Sequence, residues 1–182
     1  HVARDQGFFR KYGLDVQVVH TRGVPIGISA LASGDCQFWY GTASGVTFGA
    51  VTGGLDGVFL AGIVNKLTGT FVVNPGIKSP SDLKEKTIGV TSMGGGIWMY
   101  TMLALEHWKL DPKRDKINLR VIGDQPVIAQ AIATGIVDGG YLSYTFASIL
   151  ERQGFRILAD LAKLDIPILS VGMYSRRSFV NQ

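Results

Sequence analysis

The sequence holds a single cysteine, Cys36, in 182 residues. An internal disulfide is therefore excluded, and no cysteine pair stands at metal-ligand spacing, so Cys36 is expected to behave as a small buried apolar residue. Histidine is almost as scarce: His1, His20 and His107 lie far apart, and none has a second histidine or a carboxylate at ligand spacing. His107 reads as a solvated helix-end residue. Gly-x-Ser-x-Gly is absent, as are Gly-x-Gly-x-x-Gly and Gly-Lys-Ser/Thr, which argues against a nucleophile elbow and against nucleotide binding. No catalytic residue, metal site or cofactor is expected. No apolar run reaches the roughly 18 residues of a membrane helix, so the chain is expected to be soluble. The opening His1-Val2-Ala3-Arg4-Asp5 has no basic region followed by an apolar stretch; any secretion signal is expected to have been removed or not included. The net charge of +4 is scattered over Arg10-Lys11, Lys84 to Lys86, Lys113-Arg114 and Arg176-Arg177 without interleaved aromatics, so no nucleic-acid partner is expected.

What is present is the composition of a globular α/β protein: 46% hydrophobic, 18% charged, with 24 glycines. The chain repeats itself. Ala30-Leu31-Ala32-Ser33-Gly34 matches Ala131-Ile132-Ala133-Thr134-Gly135 at a shift of 101 residues. Each copy is preceded by a β-branched run, Val16–Val19 or Leu119–Ile122, and followed by another apolar run, Phe38-Trp39-Tyr40 or Gly140-Tyr141-Leu142. Both copies read strand, helix, glycine cap, strand, which implies two similar α/β lobes.

The second copy also has an opening strand, Thr87–Val90, a glycine turn at Thr91–Gly96, and an amphipathic helix from about Ile97 to Trp108. The matching helix of the first copy, Val2 to Lys11, has no strand before it, so the chain is expected to be a fragment. Gly57–Ile63 and Gly69–Asn74 are β runs joined by Val64–Thr68, a predicted crossing between lobes. Arg156–Ala159 is a further strand, and Ile168–Tyr174, after Pro167, a predicted return to the first lobe. The expected division is residues 1–65 plus 168–182 for lobe 1 and 66–167 for lobe 2.

The stretch Ala3-Arg4-Asp5-Gln6-Gly7-Phe8-Phe9-Arg10-Lys11-Tyr12-Gly13-Leu14-Asp15-Val16 resembles the Ala-x-x-x-Gly-Phe-Phe-x-x-x-Gly-Leu-Asp-Val opening of the nitrate/sulfonate/taurine (NitT/TauT) family of ABC transporter substrate-binding proteins. Ala30–Asp35, Ile77–Lys84 leading into Thr87–Val90, and Ala133–Asp138 fit the same family in the same order. The resemblance implies a type II periplasmic-binding-protein fold, α/β, with two Rossmann-like lobes joined by hinge strands, and a chain truncated at both ends. It implies an extracytoplasmic, monomeric component of an ABC importer, periplasmic or extracellular, free or lipoprotein-anchored. Its partners would be a small polar or anionic organic solute, held in the interlobe cleft, and a membrane permease. The alternatives are an enzyme on the same fold, of the thiamine pyrimidine synthase or menaquinone-pathway kind, and a ligand-sensing domain.

The expected ligand contacts sit at strand ends and helix N-termini. Thr42, Ala43 and Ser44 follow the Phe38–Tyr40 strand and either donate to a ligand or simply cap the next helix. Ser92, Met93, Gly94, Gly95 and Gly96 precede a helix and leave backbone N–H groups free, with glycine admitting a close ligand. Relatives often carry Gly-Ser-Ser where this chain has Gly94-Gly95-Gly96, so amides alone remain as donors. Trp98 walls an apolar ligand or belongs to the core. Ser143 and Tyr144 fall, with Thr145, where relatives commonly place an acidic residue followed by proline; without that carboxylate a taurine-like amine is disfavoured. Asn65 bonds a ligand across the cleft or is an ordinary turn residue.

Overall fold

The computed structural model describes residues 2–182. In chain order the first elements are α1 (Val2–Asp5), α2 (Phe8–Lys11), α3 (Val24–Ser33), β1 (Phe38–Thr42), α4 (Gly45–Thr52) and β2 (Gly57–Lys66). There follow β3 (Thr70–Val73), β4 (Thr87–Val90), α5 (Gly96–His107), β5 (Asn118–Val121) and α6 (Gln125–Ala133). The chain finishes with β6 (Gly139–Leu142), α7 (Tyr144–Arg152), β7 (Arg156–Asp160), β8 (Pro167–Arg176) and α8 (Arg177–Val180).

The strands form two sheets. One has the order β1-β8-β2 and is antiparallel throughout. The other has the order β5-β4-β6-β3-β7, parallel from β5 to β6 and antiparallel where β3 pairs with β6 and β7. The β-branched and apolar runs predict this: Thr70, Phe71, Val72 and Val73 are all buried, as a strand covered on both faces requires. Helices α5, α6 and α7 cover that sheet and complete a core containing Phe71, Ile88, Leu105, Ile128, Ile132 and Leu142. The first sheet has a smaller core built around Trp39, whose indole lies beside Tyr174 with ring centroids 5.2 Å apart. Gly27 on α3 makes room for that indole, since a Cβ there would overlap the ring.

The two units are joined twice. β2 leads through residues 67–69 into β3, and β7 leads through residues 161–166 into β8. The crossings are tied to each other: Leu161 N–H donates to the Gly69 carbonyl at 2.9 Å, and Lys66 pairs with Pro167. Gly69 has φ +81°, and a Cβ there would lie 2.7 Å from the Tyr141 hydroxyl and 2.8 Å from the Leu142 carbonyl. Only glycine satisfies both demands.

The repeat corresponds to helix, strand, helix in each unit: α3-β1-α4 and α6-β6-α7. Three expectations need correction. Val16–Val19 forms no strand: no partner strand lies alongside it, and Val19 is 78% exposed. The helix expected over Val2–Lys11 is two short helices, because Gly7 takes φ +72° between them. Finally, β2 runs on through Lys66, since Val64 and Lys66 still find partners on β8 across irregular register steps.

Candidate functional site

The strand-end segment Thr42-Ala43-Ser44 and the glycine turn Gly94-Gly95-Gly96, one from each unit, are brought into direct contact. Thr42 ends β1, and Ser44 takes extended backbone (φ −128°, ψ 170°) as the residue before α4. The Ser44 side chain does not cap that helix. It is buried and shares a 3.4 Å contact with the Thr47 hydroxyl, which donates to the Thr42 carbonyl at 3.0 Å. Ala43 N–H donates to the Ser170 carbonyl of β8 at 3.2 Å. Across the junction, Val46 N–H donates to the Gly94 carbonyl at 3.4 Å. The N-termini of α4 and α5 therefore face each other.

Tyr100, one turn into α5, completes this junction. Its hydroxyl donates to the Ser170 carbonyl at 3.2 Å and has Thr42 within hydrogen-bonding reach. Burial raises its phenol above the ordinary tyrosine range, offset in part by those bonds. Tyr141 stacks beside it at 5.2 Å between ring centroids, and burial pushes its phenol up to about 12. Neither tyrosine was among the expected contacts. The repeat carries a signal for one of them, because Tyr141 stands 101 positions after Tyr40. Tyr100 and Ser170 have no comparable mark in the sequence.

The remaining candidates lie as follows. Ser92 has a buried hydroxyl without a partner, beside Gly95. Met93 is exposed. Trp98 is partly buried, belongs to neither apolar cluster among the described residues, and has a buried indole N–H without a partner. Ser143 precedes α7, and its N–H donates to the Gln125 side-chain carbonyl at 2.8 Å. Tyr144 is half-exposed and donates to Asp160 Oδ1 at 2.8 Å, so this part of the junction does hold a carboxylate, supplied by β7 instead of the segment that begins at Ser143. Asn65 is exposed near the end of β2, its Oδ1 beside Gly62.

Besides Asp160, an ion pair joins the two units. Arg22, just before α3, meets Asp124, just before α6, at 3.7 Å. Thr42, Ser44, Ser92, the three glycines, Tyr100 and Ser170 offer only neutral hydroxyl and backbone groups. His20 and His107 are exposed, His107 at the C-terminal end of α5, the opposite end from the glycine turn; His1 lies outside the described residues. Among the described residues no group of three or more His, Cys, Asp and Glu side chains could hold a metal ion. No helix of the described residues is long and apolar enough to cross a membrane.

Several solved structures of the same fold are binding proteins by name. The alkanesulfonate-binding protein SsuA from Xanthomonas axonopodis pv. citri, bound to MOPS, is 19% identical with a TM-score of 0.81, covering 99% of this chain and 62% of that one. The periplasmic aliphatic sulphonate binding protein SsuA from Escherichia coli is 20% identical with a TM-score of 0.77, covering 99% of this chain and 58% of that one. The putative periplasmic sulfonate-binding protein SsuA from Methylobacillus flagellatus KT is 25% identical with a TM-score of 0.68, covering 100% and 56%. The chain thus spans less than two thirds of the length of these proteins. The chain shares the fold of these periplasmic binding proteins, as the family resemblance implied. No curated protein sequence matches. The family model described as NMT1/THI5 like matches residues 1–173, and the chain belongs to that family.

Proposed function

We propose that this chain is the solute-capturing part of an extracytoplasmic binding protein that serves an ABC importer. The observation that carries the proposal is the meeting of Thr42–Val46 with Gly94–Gly96: helix N-termini of two separate sheets converge where two crossing strands let the units move against each other. In this reading lobe 1 is residues 1–65 with 168–182 and lobe 2 residues 66–167, the boundary falling at Lys66 and Pro167, which pair with each other at the end of the first sheet. A small polar or anionic organic solute would be held at this junction by the backbone N–H groups and hydroxyls of Thr42, Ser44, Ser92 and Tyr100, with Trp98, Tyr141, Ser143 and Tyr144 around it. Neutral donors at helix N-termini suit an oxoanion such as a sulfonate, since the helix dipoles favour negative charge without a fixed cation. The module acts as a monomer that a membrane permease reads by its degree of closure, and it captures its solute without converting it.

The test is a thermal-shift screen against alkyl and aromatic sulfonates, nitrate, bicarbonate, carboxylic acids and pyrimidines, with the solute recovered and identified afterwards. At 100 times the dissociation constant a ligand stabilises by about 2.7 kcal/mol, or about 5–10 °C in melting temperature for a chain of this size. A sulfonate or similar anion that shifts melting and is recovered unchanged supports the proposal. A solute recovered as product, or a panel without a shift, overturns it.

A further inference from the structure

We propose that Gly94–Gly96 is a steric seat on which the first unit closes, and that the missing Cβ at Gly96, opposite Thr42, sets how far closure proceeds. A Cβ at Gly96 would lie 2.6 Å from Thr42 Oγ1 and 2.9 Å from both Thr42 Cβ and Cγ2. Separations under 3.0 Å between such atoms require something to shift. Thr42 has little room to yield. It is registered against Val171 in the β1–β8 ladder, and its carbonyl is held by Thr47. At Gly94 the first unit is met again through Val46: a Cβ there would lie 3.2 Å from Val46 Cγ2, and the Gly94 carbonyl accepts from Val46 N–H.

The local backbone does not explain Gly96. Its φ is not in the left-handed region, and as the first residue of α5 it stands where alanine is the better helix former. What requires glycine is the other unit. Arg22 and Asp124 bring the same two units together at a second place, through an exposed 3.7 Å ion pair that adds little to the steric contact. Because Thr42 itself fills the space in front of Gly96, the solute lies beside this contact and not between its members. The closed distance, and with it the size of solute enclosed, is set by a protein–protein contact.

The inference deepens the solute-binding reading and rests on it for the consequence on affinity. Its test does not need the solute. Spin labels on exposed helical positions, Ser29 in α3 and Gln130 in α6, in a Cys36→Ser background, report the separation of the units by pulsed electron resonance. Gly96→Ala should move the distance distribution to longer values while leaving far-UV circular dichroism unchanged. Adding Thr42→Gly should return it to the parental distance. Thr42→Leu, which enlarges the contact from the opposite unit, should open the molecule in the same way and serves if Gly96→Ala does not fold. Unchanged distances in the single variants, or no return in the double variant, overturn the seat. Where a solute from the thermal screen is in hand, its apparent affinity should fall by the factor by which the closed population falls. A screen without any hit beside a clear distance shift would reject the solute-binding reading and leave the seat standing.

Discussion

Tyr141 gives a test with a change of sign. Its ring is 95% removed from solvent and packs on Tyr100, and its hydroxyl reaches Thr68 beside the glycine crossing. Burial, with a smaller contribution from the Tyr100 phenol, raises the Tyr141 phenol to about 12, against an unfolded value near 10. The folded pKa lies above the unfolded one, so the contribution of the neutral phenol is fully present below about pH 10 and is lost as pH rises towards 12. At pH 11 the loss from this residue is about 1.4 kcal/mol, one pH unit of differential ionisation. Tyr141→Phe removes the hydroxyl and its bond, a cost of about 0.5–1.5 kcal/mol at neutral pH, and also removes the ionisation. The variant should therefore melt about 1–6 °C below the parent at pH 7, and the difference should vanish or reverse by pH 11. Thermal unfolding of both proteins at half-unit steps from pH 7 to 11 measures this. A gap that stays constant across the range would refute the account of the buried phenol.

Phe71 is fully buried in the interior strand β3 and meets Trp108 edge-on at 5.3 Å; Phe71→Ala should cost about 3–5 kcal/mol in urea unfolding, and a loss under 1 kcal/mol would mean that the sheet is not packed as described. Asp115 accepts from Arg114 Nη2 at 2.6 Å and from Asp111 N–H at 2.9 Å, with Lys84 at 3.5 Å, and these bonds hold its carboxyl well below the usual range. Its depressed pKa makes its contribution present above pH 4 and lost as pH falls through the folded value, so Asp115→Asn should flatten the acid limb of the stability curve, and an unchanged limb would contradict the assignment.

The second unit was legible because its inner strands β3, β4 and β6 are buried on both faces and its runs end in a glycine or a turn, so apolar pattern and element coincide at Thr70–Val73, Thr87–Val90 and Gly139–Leu142. Val16–Val19 misled for the opposite reason: a β-branched run states a preference, but a strand requires a partner that local sequence does not name. The site was half legible. Thr42–Ser44 and Gly94–Gly96 follow from strand-then-helix punctuation, whereas Tyr100 and Ser170 meet across 70 residues of chain. That meeting depends on β8 returning between β1 and β2, and no periodicity encodes it. The sequence also suggested the glycines as a ligand cradle, whereas the proximity of Thr42 suggests a role in how the two units come together.

The strand order of the first sheet has a consequence for how the molecule is made. β1 and β2 do not touch as sheet neighbours; each pairs with β8, at residues 167–176. β1 and β2 are therefore made before the strand that joins them, with the entire five-stranded sheet synthesised in between. Until β8 appears, Trp39 and Phe59 have no Tyr174 to pack against, so the aromatic core of the first sheet is completed by one of the last segments made.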